Sequence, residues 1–254
     1  MSQLLKHGSL VLLATMTSGT FAEDTQTSST GELSATIGVV NKYIYRGGEE
    51  NDDPSVQFGL EYAHNSGVFL GYWGSTLNYD ASDEDQSQGF EHDFYIGYGR
   101  ALNENWSYKS QILSYYYQNG GTVYSEDGSD KRRTTGFEML NDVSYKDLTL
   151  GLGVTLADVN YANAGDIYLS AAYSYPLPKD FNLNTSIGAS LYNDSRDDQL
   201  VQTTESLAFN EARVGLSKTI AERVDLSLDY VYGGEGRDGV DFDNHVVLGA
   251  NFNF

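Results

Sequence analysis

The chain has no cysteine, only 3 prolines, and 15 lysines and arginines against 36 aspartates and glutamates in 254 residues. Without cysteine it has no disulfide framework, no zinc–cysteine site and no lipoprotein anchor. A formal charge of −21 argues against nucleic acid as a partner, because phosphates would be repelled. No apolar run is long enough to span a bilayer as a helix, and the mean hydropathy is −0.42. Together these exclude a helical membrane protein. They leave room for a membrane β-barrel, whose strands are apolar only on alternate residues.

Tyrosine and glycine are abundant, with 20 and 27 residues. In a barrel, aromatic rings sit at the membrane interfaces and glycine relieves crowding inside a curved sheet. The last stretch shows the pattern plainly. Phe242, Val246, Leu248, Ala250, Phe252 and Phe254 fall on one side of an extended strand, while Asp243, His245, Gly249, Asn251 and Asn253 fall on the other. A soluble protein ending on such a strand would expose an aggregation-prone edge, whereas a closed barrel has no edge.

The same alternation recurs from Glu32 onward. In a first strand Leu33, Ala35, Ile37, Val39, Tyr43 and Tyr45 are expected to face lipid, with Ser34, Thr36, Gly38, Lys42 and Arg46 inward. Phe69, Trp73, Leu77 and Tyr79 share one side of the third strand, and Leu148, Leu150, Leu152, Val154 and Leu156 alternate strictly in the seventh. Short turns such as Asn65-Ser66-Gly67 and Lys146-Asp147 alternate with long polar loops such as Asn119–Lys131. The expected fold is all-β, a closed antiparallel transmembrane β-barrel of about twelve strands with both termini at the short-turn end.

At the N-terminus, Lys6 and His7 precede the apolar run Leu10-Val11-Leu12-Leu13-Ala14, and a small-residue stretch ends at Ala22. Residues 1–22 read as an export signal, 23–30 as a polar leader and 31–254 as the barrel.

One stretch carries more specific information. Tyr43-Ile44-Tyr45-Arg46-Gly47, then Pro54, then Tyr62-Ala63-His64-Asn65-Ser66-Gly67 before Trp73 resembles the N-terminal half of the TorF-type porins of proteobacteria. The resemblance implies a small channel in the Gram-negative outer membrane. The terminal aromatic Phe254 likewise resembles the signal by which barrel-assembly machinery recognises its substrates. That machinery, outer-membrane lipid and lipopolysaccharide are the expected partners.

Inward, pore-lining candidates on this register are Lys42, Arg46, Glu61, Glu91, Asp93, Lys109, Glu138, Asp142, Glu211, Arg213, Asp225, Asp229, Asp243 and His245. Carboxylates outnumber cations, which favours small polar or cationic solutes in an open lumen. Alternatively the charges pair across the lumen and hold it shut, with Arg46 and Lys42 as partners for Glu61 or a neighbouring strand's carboxylate. The acidic segments Glu49–Asp53 and Asp80–Asp85 lack the spacing of a calcium loop, so no metal site is expected, and no cofactor motif appears. Beyond the signal the histidines are His64, His92 and His245. None shows the Ser–His pairing of a lipid hydrolase, so the chain does not read as an enzyme. Two readings remain: a channel for passive diffusion, or a plugged structural or surface-receptor barrel whose acidic loops bind a partner.

Overall fold

The computed structural model describes residues 30–81, 86–195 and 199–254. The expected export signal, nearly all of the leader, and Ser82–Asp85 of the second acidic segment lie outside the described residues. The strands run in chain order as β1 (Gly31–Val40), β2 (Tyr43–Tyr45), β3 (Gly48–Asn51), β4 (Ser55–His64), β5 (Val68–Leu77) and β6 (Gly89–Ala101). Next come β7 (Trp106–Tyr117), β8 (Thr122–Tyr124), β9 (Lys131–Arg133), β10 (Gly136–Tyr145) and β11 (Leu148–Thr155). The last are β12 (Ile167–Leu177), β13 (Phe181–Leu191), β14 (Leu207–Ile220), β15 (Val224–Gly233) and β16 (His245–Asn253).

Twelve of these close into one antiparallel barrel, each wall strand pairing with the next and β16 with β1. The seam is in register, with Ile37 opposite Phe252 and Val39 opposite Ala250. Closure leaves no unpaired edge, so an apolar outer face can meet lipid without exposing backbone polar groups. That face is apolar all round: Leu70, Ile96, Ile112, Leu150, Ile187, Leu228 and Leu248 are each about half exposed on it. Trp106 and Tyr145 pack together on the outside at the short-turn end, their ring centroids 4.8 Å apart, where an interfacial aromatic girdle belongs.

One departure from strict alternation and one face choice shape the interior. In β14 the register against β13 shifts between Gly188 and Ala189, so Asn210 is an extra residue. This β-bulge turns both Asn210 and Glu211 inward, and both are buried. In β5 the side carrying Phe69, Trp73 and Leu77 faces inward, while Val68, Leu70 and Tyr72 face out. Phe69, Trp73 and Leu77 therefore help to fill the lumen.

The first strand ends at Val40, not beyond Arg46. Tyr43 and Tyr45, expected on the lipid face, lie instead in β2, which pairs only with β3. The β2–β3 hairpin folds into the barrel. Asn41 begins the inward turn: its amide donates to the carbonyl oxygen of Val246 (3.1 Å), and its side-chain oxygen accepts the N–H of Leu248 (2.7 Å). Phe242, expected on the closing strand, belongs to the preceding loop and packs against Gly48.

Candidate functional site

The site is the lumen at the long-loop end, and the hairpin occupies it. Its turn is Arg46-Gly47, flanked by the paired residues Tyr45 and Gly48. Both turn residues have positive φ, 49° and 85°, the geometry of a type I′ hairpin turn that matches the right-handed strand twist. Glycine is required at position 47, because a Cβ there would stand 2.2 Å from the carbonyl oxygen of Asn210 in the β14 bulge.

Each side chain of the hairpin meets a different part of the wall. Tyr43 packs edge-on against Trp73 of β5 and donates a hydrogen bond to Glu91 of β6. Ile44 joins Val231 of β15 and Val247 of β16 in a small apolar cluster. The Tyr45 hydroxyl meets that of Tyr115 on β7 at 2.8 Å. Glu50 accepts a hydrogen bond from Tyr79, and Asn51 donates to Ser55 at the start of β4 (2.6 Å). An isolated two-stranded hairpin is marginal in water, so these wall contacts are what hold it in place.

Arg46 reaches furthest. Its guanidinium donates to Oε1 of Glu138 on β10 at 2.8 Å, and Tyr115 donates to the other carboxylate oxygen at 2.6 Å. The guanidinium also lies over the ring of Tyr168 on β12, 4.2 Å from its centroid. Tyr168 in turn donates to Glu211 (3.0 Å), which pairs with Arg213 (3.3 Å). A chain of charge-assisted hydrogen bonds, joined between Arg46 and Tyr168 by a cation–π contact, thus crosses the lumen from β7 to β14 through the hairpin tip.

The interior divides along the barrel axis. At the loop end Trp73, Glu91, Asp93, Tyr115, Glu138, Tyr168, Glu211 and Val231 are all buried. Toward the turn end, which carries both termini, Ser34, Thr36, Lys109, Ser227 and Asn253 stay partly exposed. The hairpin therefore fills the lumen at the loop end, while toward the turn end the inner face is mixed, with Phe69, Ser144 and Thr149 buried beside these partly exposed residues.

Of the inward candidates, Glu61, Glu91, Asp93, Lys109, Glu138, Asp142, Glu211, Arg213, Asp225, Asp229 and His245 sit on inner-face positions of wall strands. Lys42 and Arg46 belong to the inserted segment, and Asp243 lies exposed in the loop before β16. Of the two expected partnerships for Arg46 and Lys42, the one with Glu61 is not formed and carboxylates of other strands take its place. Glu61 accepts from Tyr95 (3.1 Å), Arg46 pairs with Glu138, and Lys42 pairs with Glu49 (2.5 Å), which also lies 3.4 Å from His245. Asp93 is fully buried, and neither of its carboxylate oxygens has a hydrogen-bond partner among the described residues. Sequence reasoning missed Tyr45, Tyr115, Tyr168 and Asn210. The signal that could have found the hairpin was Arg46-Gly47-Gly48 directly after Tyr43-Ile44-Tyr45, a glycine-bearing turn pattern between short extended runs.

His64 and Ser66 come together within the turn itself. Nδ1 of His64 accepts the backbone N–H of Ser66 (3.1 Å) and lies 2.8 Å from its hydroxyl. The contact closes an exposed three-residue turn, and Gly67 at φ 97° completes it. His92 faces outward among Phe90, Tyr72 and Tyr116. Among the described residues no group of three or more histidines and carboxylates could hold a metal ion.

A family model for a bacterial protein of unknown function, Gcw_chp, matches residues 24–241. The chain belongs to the Gcw_chp family. The matched span includes the hairpin and all wall strands except β16. No curated protein matches the sequence. Among solved structures the chain is similar to the KdgM porin in complex with disordered oligogalacturonate, at 8% identity and a TM-score of 0.52, covering 87% of this chain and 98% of that one. A second structure of the KdgM porin matches over the same shares, at 8% identity and a TM-score of 0.51. At this identity the likeness is one of fold: this Gcw_chp chain has the closed barrel of a porin.

Proposed function

We propose that the protein is an outer-membrane channel for passive diffusion of small polar and cationic solutes, narrowed at its outer mouth by the β2–β3 hairpin. The long loops then lie outside the cell, and the short turns and both termini lie in the periplasm. The observation that carries this reading is the construction of the obstruction. The wall strands form a complete barrel without the hairpin, whose backbone pairs only with itself. Removing or shifting it leaves the wall closed on itself and takes Tyr43, Ile44, Tyr45 and Arg46 out of the lumen.

The solute class follows from the wall. Glu61, Asp142, Asp225 and Asp229 line the inner face, with Lys109 and Arg213 as the opposing cations there. A ring of carboxylates raises local cation concentration and disfavours anions. The similar KdgM porin was captured with an oligogalacturonate, a polyanion, so its solute is not carried over. The TorF-type resemblance supports the same general reading, since its first element, Tyr43 to Gly47, is the hairpin that obstructs the lumen. Export by residues 1–22 and assembly through Phe254 complete the proposal.

Planar-bilayer conductance of the refolded chain in a salt gradient tests it. Discrete, cation-favouring steps support the channel. Silent bilayers, with the barrel folded and the hairpin shortened, would favour a plugged structural or receptor barrel.

A further inference from the structure

Arg46 sits in the wall as a guest. The carboxylate that receives it, Glu138, is oriented by the Tyr115 hydroxyl at 2.6 Å, and the ring beneath it, Tyr168, is fixed by its bond to Glu211 at 3.0 Å. Gly153 on β11 makes the space: a Cβ there would stand 2.6 Å from Oε1 of Glu138 and 3.1 Å from Nη2 of Arg46. All four residues belong to the barrel wall, so the cradle persists when the hairpin leaves. A carboxylate beside an aromatic face, with room for a flat head group, is the arrangement by which proteins bind guanidinium and alkylammonium ions.

We propose that the cradle of Glu138, Tyr115, Tyr168 and Gly153 is a solute site for organic cations bearing a guanidinium or alkylammonium head. Arg46 is its tethered occupant, displaced by an incoming cation of the same chemistry. The inference rests on the channel reading above and adds the solute class and the trigger for opening. Glu138 is buried, so releasing Arg46 into water would leave an uncompensated charge. Exchange for another organic cation avoids that state. A potassium ion offers neither forked N–H donors for the carboxylate nor a flat face for the ring.

Two readouts on the refolded full chain test this. The chain has no cysteine, so Ile44→Cys introduces a single thiol where the hairpin side chain is buried, and its labelling rate reports hairpin withdrawal. Val247→Cys, on the wall facing it, provides a second placement should the first barrel not fold. Methylguanidinium chloride is expected to raise the labelling rate about tenfold over potassium chloride at equal ionic strength, an effect lost in Glu138→Gln. In the second readout, tyrosine fluorescence should show methylguanidinium binding about tenfold tighter to Arg46→Gly, which empties the cradle and suits the positive φ, than to the parent chain. Equal labelling in the two salts, or equal binding by parent and variant, overturns the proposal. Neither readout needs ion conduction, so failure of cation binding and failure of the channel are separate results.

Discussion

Arg46 and Glu138 are 92 positions apart in the chain and 2.8 Å apart in the lumen. The contact joins the tip of an inserted hairpin to the loop end of the wall, and it decides whether that end of the barrel is filled.

Arg46→Gly leaves Glu138 buried without its cation. Breaking one side of a buried pair typically costs about 3–5 kcal/mol, and the value here should fall near the lower end because the Arg46 side chain keeps 21% of its exposure. Urea unfolding in detergent measures it. Adding Glu138→Leu to Arg46→Gly should recover much of the loss, since the stranded charge is then gone.

Gly47→Val acts on backbone geometry. At φ 85°, with the carbonyl oxygen of Asn210 in the way, a branched side chain is both strained and blocked, by roughly 1–3 kcal/mol. The hairpin should leave its seat while the wall stays intact. Larger unitary conductance with unchanged heat-modifiable gel migration is the expected result.

Gly153→Val tests the cradle from the wall side. Its side chain would displace the Arg46–Glu138 pair without touching the turn. Its conductance should resemble that of Gly47→Val, and it should bind methylguanidinium less well than Arg46→Gly does.

The outer face can be separated from the inner by one charge. Ile187, half exposed at the centre of β13, should lose about 2–4 kcal/mol on replacement by lysine, the cost of a charge at bilayer depth. Ser34→Lys, on the inner face directly opposite Glu61, should be tolerated. Comparative unfolding in lipid vesicles distinguishes them.

Among the long loops, Asp127 is held well below the usual carboxylate range, first by the backbone N–H of Ser129 and then by side-chain bonds from Ser129, Gln199 and Ser125. Its folded pKa is lower than its unfolded one, so its contribution is present above the ordinary aspartate range and disappears as pH falls through the folded value. Protection of the Ser129 backbone N–H and the Gln199 side-chain amide should therefore fall only in strong acid. In Asp127→Asn it should be low at all pH values.

The wall was legible because lipid on one side and water on the other impose a period of two on every strand. Turns such as Lys146-Asp147 and long loops such as Asn119–Lys131 then fix the strand order. The hairpin was not legible for the same reason. Tyr43 and Tyr45 continue the alternation of Val39, and an inserted strand buried among aromatic side chains has the same local pattern as one facing lipid. Inner-face positions for Glu91, Asp93 and Glu138 followed from strand parity alone. Their partners did not, because Tyr115, Tyr168 and Arg46 meet only after the barrel has closed and the first loop has folded inward.

The most direct test is single-channel conductance in a salt gradient, comparing the full chain with one in which residues 42–52 are replaced by a short flexible linker. The expected result is small, cation-favouring steps in the full chain and clearly larger ones after replacement, with selectivity reduced when Asp225 and Asp229 are neutralised. A folded barrel that stays silent in both forms would contradict the channel.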